Sequence, residues 1–188
     1  MARVTCEPSL LFSPSVSASS AVICASGFEI HSAVYKGRSD VQCIVHAHPG
    51  AGVVYSMIKE EMLFLHQNAA IFFDDIAFHR CYEGSLCQTD AALDIAKSLG
   101  QKHALILQNH GLLTVGQNIV SAVIRMIELE KTCELNLRAF QVNRPLISMT
   151  PEICRGNKER LANDLWFGQQ FDALMRKLSR SRQRGGKR

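Results

Sequence analysis

No Cys-x-x-Cys pair occurs among the seven cysteines of this chain. Cys6, Cys24, Cys43, Cys81, Cys87, Cys133 and Cys154 are scattered and odd in number, which argues against a disulfide framework or a thiolate metal site and for reduced thiols in a cytoplasmic protein. No apolar run approaches the roughly 20 residues needed to cross a bilayer, so a transmembrane role is not expected. The sequence also lacks a phosphate-binding glycine loop and any serine or cysteine nucleophile arrangement. Acids are nearly missing from the serine-rich opening segment, where Glu7 stands alone, and its apolar stretch is too broken for a secretory signal. The formal charge of +4 shrinks once its source is located, because Arg180, Arg182, Arg184, Lys187 and Arg188 crowd the last residues. A near-neutral body offers no basic face, so nucleic acid is not an expected partner, and the basic end reads as a solvated appendage.

What is present suits one domain. At 188 residues and 47% hydrophobic, the chain can bury a real core but not two. Residues 1–20 read as an irregular N-terminal segment, 21–178 as the domain and 179–188 as a basic disordered tail. A short strand is expected over Ala21–Ala25 and a short helix after Gly27. Pro49 suits the first turn of a helix over Gly50–Glu61, with Val53, Val54, Met57 and Ile58 on its buried face. Ile76–His79 reads as extended, and Thr89–Leu99 as a helix stopped by Gly100. The longest 3.6-residue periodicity runs from Asn118 to about Gln141, and a final helix opens at Thr150-Pro151-Glu152, with Thr150 as cap and an apolar edge reaching Leu178. Strand and helix alternate, which predicts an α/β fold with a central sheet covered by helices on both faces.

Two short apolar runs end in histidine. In Val41–His48, His46 and His48 stand two apart, so in an extended strand they project to one side. His110 follows a second run, Leu105–Leu107, and precedes Gly111, where a turn lets backbone come close. Three neutral imidazoles with an open position make a catalytic-type zinc site. The plainer alternative is three partly buried histidines that shape loops. His79 and Glu83 are candidates for the same cleft, although a surface loop is the simpler reading. His31, His66 and His103 read as supporting or structural residues, Tyr35 and Tyr55 as packing residues, and Cys43 as a small buried hydrophobe.

Gly27-Phe28-Glu29-Ile30-His31-Ser32-Ala33-Val34-Tyr35, Asp40 through Pro49, and Leu105 through Gly116 with its Asn109-His110-Gly111 turn resemble the class II aldolase and adducin head-domain family. The resemblance spans about Gly27 to Leu178. It implies a single-domain three-layer α/β/α fold, commonly a homotetramer, in which His46, His48 and His110 bind zinc or another divalent metal. In the family's enzymes this metal serves aldehyde-lyase or epimerase chemistry on a small, sugar-phosphate-like carbonyl compound. The resemblance also places the family's proton-carrying acid at Gly27, which cannot transfer a proton; Glu29, two residues on, is the nearest substitute. Ala25 and Ser26 fall where the enzymes use small polar residues on the substrate phosphate, which leaves Ser26 as the one candidate contact. The Gly-Phe-x-Ile-His-Ser-Ala start fits the adducin-like branch. That branch implies the competing reading, a non-catalytic scaffold with an oligomerisation or actin-related, cytoskeletal role.

Overall fold

In the computed structural model, residues 3–6, 25–81 and 89–185 are described. Five strands form one mixed sheet in the order β1-β2-β5-β4-β3. They are β1 (Arg3–Cys6), β2 (Cys43–Ala47), β3 (Ile76–His79), β4 (Ala104–Leu107) and β5 (Gly111–Gly116). β2 pairs antiparallel with both β1 and β5, β4 pairs antiparallel with β5, and β3 lies parallel to β4 at the edge. The β1 pairing corrects the expectation that residues 1–20 are wholly irregular. Edge pairing is supplied by the open backbone groups of β2, so four residues need no hydrophobic period of their own to join.

Period-two alternation splits the strands between two cores. Cys43, Val45, Ala47, Ala104, Ile106 and Leu112 face one side, beneath α2 (Gly50–Ser56), α4 (Ile119–Phe140), α5 (Pro151–Leu161) and α6 (Asp164–Gly185). Ile44, Leu105, Leu107, Leu113 and Val115 face the other, against α1 (Ala25–Gly37) and α3 (Thr89–Leu99). The result is the expected three-layer α/β/α domain. No described helix is long and apolar enough to cross a membrane.

Helix starts follow their caps. Asn118 accepts from the Ser121 N–H at 2.8 Å to open α4, and Thr150 caps α5 with Pro151 next in line. Three boundaries depart from expectation. α2 ends at Ser56 rather than Glu61, because the Arg80 guanidinium donates to the Ile58 and Lys59 carbonyls and holds that segment out of helix. Its buried face is Gly52, Tyr55 and Ser56, whereas Val54 and Met57 are 48% and 57% exposed. The final element is two helices, since Asn163 accepts from the Trp166 N–H and starts α6 afresh. α6 then continues to Gly185, so residues 179–185 are helical rather than a disordered tail. Of the strand expected over Ala21–Ala25, the first four positions lie outside the described residues and Ala25 opens α1.

Two buried charges tie distant elements together. Arg38 donates to both oxygens of Asp40 and to the Gly100 and Lys102 carbonyls, joining the end of α1 to the end of α3. Asp75 accepts from the His103 backbone N–H at 3.0 Å and from its ring Nδ1 at 2.9 Å, with the Lys158 ammonium 3.8 Å away. Burial pushes the Asp75 carboxyl up, but the His103 hydrogen bond and the neighbouring cations outweigh it and hold the group below the usual carboxylate range. A depressed folded value means that its stabilisation is complete above the unfolded value of about 4 and is lost as pH falls through the folded one. Asp75→Asn is therefore expected to cost about 1–3 kcal/mol in urea unfolding at pH 7. The gap between wild type and variant should narrow as pH falls below about 4; a gap that does not shrink on acidification counts against the ion pair.

Candidate metal centre

β2 ends at Ala47 and β5 begins at Gly111, and their antiparallel register sets His46 opposite Leu113 and Ala47 opposite Leu112. The two histidine runs thus finish at the same end of the sheet. His46 is buried on the α1 side, His110 is half-buried in the turn and His48 is exposed. Their ring centroids lie 5.0 Å (His46–His48), 4.8 Å (His46–His110) and 4.7 Å (His48–His110) apart. One ring nitrogen from each falls within 4.8 Å of the others. Nitrogens held about 2.1 Å from one tetrahedral ion are about 3.4 Å apart, so small ring rotations close the set on a metal. Burial, reinforced by the His48 ring, pushes His110 below the ordinary imidazole range, which favours the neutral, ligating form. The donor set therefore fits a divalent ion that prefers nitrogen, and the exposed His48 side leaves a path to it.

Local geometry explains why the turn reads Asn-His-Gly. Asn109 carries a φ of 54°, a left-handed conformation that asparagine tolerates well. Its N–H donates to the Ser56 carbonyl at 3.2 Å, tying the turn to the end of α2. A Cβ on Gly111 would sit 2.6 Å from the Ala47 carbonyl oxygen and 2.7 Å from His48 Cδ2. The close approach expected at Gly111 is thus observed, while the left-handed residue is Asn109.

The helix that follows the His46–His48 strand is anchored from across the molecule. Pro49 stands at the N-cap of α2 and supplies no side-chain cap. Glu130 of α4 fills that role, accepting from the Ala51 N–H at 2.9 Å and the Gly52 N–H at 2.6 Å, and its charge complements the helix dipole. Gly52 packs on Leu112, the residue after Gly111, where a Cβ would lie 2.5 Å from its Cδ1. No sequence signal marks Glu130, because it acts on residues almost eighty positions away.

The other candidates sort by position. His31 is buried with its ring centroid 6.4 Å from that of His46, so the α1 face carrying His31 and, one turn earlier, Gly27 looks toward the cluster. Glu29 lies about 200° round the helix from Gly27, and its buried Oε2 has no hydrogen-bond partner among the described residues. The structure does not bring it to the histidines. Ser26 lies in the first turn of α1, where its side chain is outside the described residues, as is Glu83. His79 bonds Ser98 on α3, His66 bonds Thr132 and His103 bonds Asp75.

A mixed sheet between helical layers, with three imidazoles gathered at the meeting ends of two strands, is an architecture of the class II aldolase type with a candidate metal site. The family described as Class II Aldolase and Adducin N-terminal domain matches residues 13–137, and the chain belongs to it. A Pseudomonas aeruginosa protein whose name places it among the class 2 aldolases is 33% identical over 159 residues, covering 81% of this chain and 61% of that protein. Mouse alpha-adducin is 39% identical over 116 residues, 61% of this chain but 16% of adducin. L-fuculose 1-phosphate aldolase from Glaciozyma antarctica superposes with a TM-score of 0.73 at 31% identity, covering 85% of this chain and 61% of that one. The chain thus spans about three fifths of the length of these aldolase relatives.

Gly111→Ala tests the cluster's dependence on the bare backbone. It is expected to cost about 1–3 kcal/mol by overpacking and to lower zinc retention on gel filtration, because the His48 ring must move. Full metal content together with unchanged thermal stability would contradict the close approach.

Proposed function

We propose that the chain is a metal-dependent member of the class II aldolase family, with His46, His48 and His110 holding one divalent ion. The gathering of three ring nitrogens within 4.8 Å of one another at the sheet's end is the observation that carries this reading. Zinc suits three imidazoles with an open fourth position. Held by His46, His48 and His110, such an ion would supply Lewis-acid polarisation of a carbonyl oxygen. The proposed substrate is a small hydroxylated carbonyl compound, entering on the side of exposed His48 while the buried His46 and its neighbour His31 exclude water from behind. Homo-oligomerisation, as a tetramer, is part of the proposal, and the exposed Val54 and Met57 beside the cluster are apolar surface of the kind such contacts cover. A cytoplasmic setting is part of the proposal, supported by the scattered cysteines with no Cys-x-x-Cys pair.

One observation favours a second reading. Gly27 stands on the cluster-facing side of α1 and has no proton to give, and Glu29 is turned away from it. A missing general base is normally worth about 10²–10⁴ in rate. A metal-loaded but slow protein, serving as an adducin-type scaffold with an oligomerisation or actin-related role, is consistent with this and with the identity to alpha-adducin.

Elemental analysis of the full chain after zinc loading and dialysis is expected to give about one equivalent. His46→Ala and His110→Ala should each fall to a small fraction of that. A wild type that keeps no divalent metal would falsify the proposal. Retro-aldol cleavage of ketose 1-phosphates then separates the readings. Metal with weak turnover that rises about tenfold or more in Gly27→Glu supports a latent aldolase, whereas metal with no turnover in either protein supports the scaffold.

A further inference from the structure

At the end of the sheet opposite the three histidines lies a second polar pocket. β5 leads from Gly111 to Gly116, roughly 17 Å along an extended strand, and the turn and first helical turns beyond it carry Gln117, Ser121 and Arg125. With His103, Asp164 and Phe167, these residues line a pocket of about 270 Å³.

Arg125 is the anomaly there. It is 8% exposed, so most of the side chain is out of water while it still lines the pocket. Among the described residues its only hydrogen bond runs from Nη1 to the Val115 carbonyl at a long 3.4 Å. Its face lies 4.6 Å over the Phe167 ring, and its buried Nε reaches no acceptor. A guanidinium offers five N–H donors in a planar fork, and a buried charged donor left unmet is costly enough to call for a missing partner. Asp75 and Asp164 act on its charge from a distance, but neither fills the fork: Asp75 is committed to His103 and the Lys158 ammonium, and Asp164 sits exposed in the pocket lining.

We infer that this pocket is a binding site for a small carboxylate held by Arg125. A planar carboxylate matches the guanidinium fork two bonds at a time. The Asp164 charge disfavours a dianion such as phosphate and leaves a singly charged acid as the better fit. The Gln117 amide and the His103 ring, whose Nδ1 is taken by Asp75, stand ready for the acid's substituents. The site shares no residue with the histidine cluster, so it stands or falls independently of the metal.

The test uses the full chain stripped with EDTA, titrated with sodium propionate, with inorganic phosphate and with chloride at constant ionic strength, and read by thermal unfolding and calorimetry. Propionate is expected to raise the melting temperature saturably, phosphate weakly and chloride not at all. Arg125→Met should lose the response, while His46→Ala should keep it. Should Arg125→Met fail to fold by circular dichroism, Asp164→Asn decides, with tightening by a factor of about three or more expected. The inference is overturned by no saturable response in wild type, which leaves water as the occupant. It is equally overturned by a response surviving in Arg125→Met or lost in His46→Ala, by phosphate binding as tightly as propionate, or by Asp164→Asn leaving affinity unchanged.

Discussion

The histidine end of the molecule depends on the closeness of two backbones. Where β2 hands over to His48 and β5 begins, Gly111 passes so near the Ala47 carbonyl and the His48 ring that any side chain there would collide with both. Antiparallel pairing fixes which residues face each other, and the missing Cβ lets the pair close fully. The three imidazoles meet because of that closure. Each reaches the cluster from a strand end whose position is set by the sheet, and rigid elements hold a site more precisely than loops do.

The same closure is braced from behind. α2 starts immediately after His48 with a proline that cannot cap it, so its amide groups would face an apolar layer unmet. Glu130 reaches across from α4 to accept two of them. Because Gly52 of α2 also rests on Leu112 of β5, one helix start grips both histidine-bearing strands. The turn between β4 and β5 is held in turn by the Asn109 bond to Ser56 at the other end of α2. A change in α4, far from any histidine in sequence, is thereby felt at the cluster.

How much of this was legible follows from the range of each interaction. His46 and His48 could be read as partners because their spacing of two matches the strand period, and His110 could be joined to them because its run ends in the same manner. The end of α3 and the start of α5 were legible because Gly100, Thr150 and Pro151 are local signals. The buried face of α2 was not. Its apolar residues Val54 and Met57 face outward and its glycine inward, a reversal dictated by Leu112 and Glu130 rather than by hydrophobicity. The early end of α2 escaped notice for the same reason, since the Arg80 guanidinium that takes the Ile58 and Lys59 carbonyls comes from beyond the next segment. β1 was hidden because an edge strand borrows its order from a neighbour.

Gly27 and Arg125 pose opposite physical problems, and together they bear on what the fold is used for. At Gly27 a group is missing where the surrounding geometry, a helix face turned toward three imidazoles, could use one. At Arg125 a group is present whose donors exceed the acceptors around it. Loss of a proton carrier weakens chemistry without weakening the sheet, because position 27 lies on α1 rather than on the strands that gather the histidines. The histidine cluster and position 27 therefore rest on different elements, and a change at one leaves the other in place. A charged fork buried in the apolar layer is a different case: its single long bond and unmet Nε leave donor capacity that a ligand or water can fill. The two ends of β5 thus differ in kind, one gathering three imidazoles, the other setting a buried guanidinium beside a polar pocket.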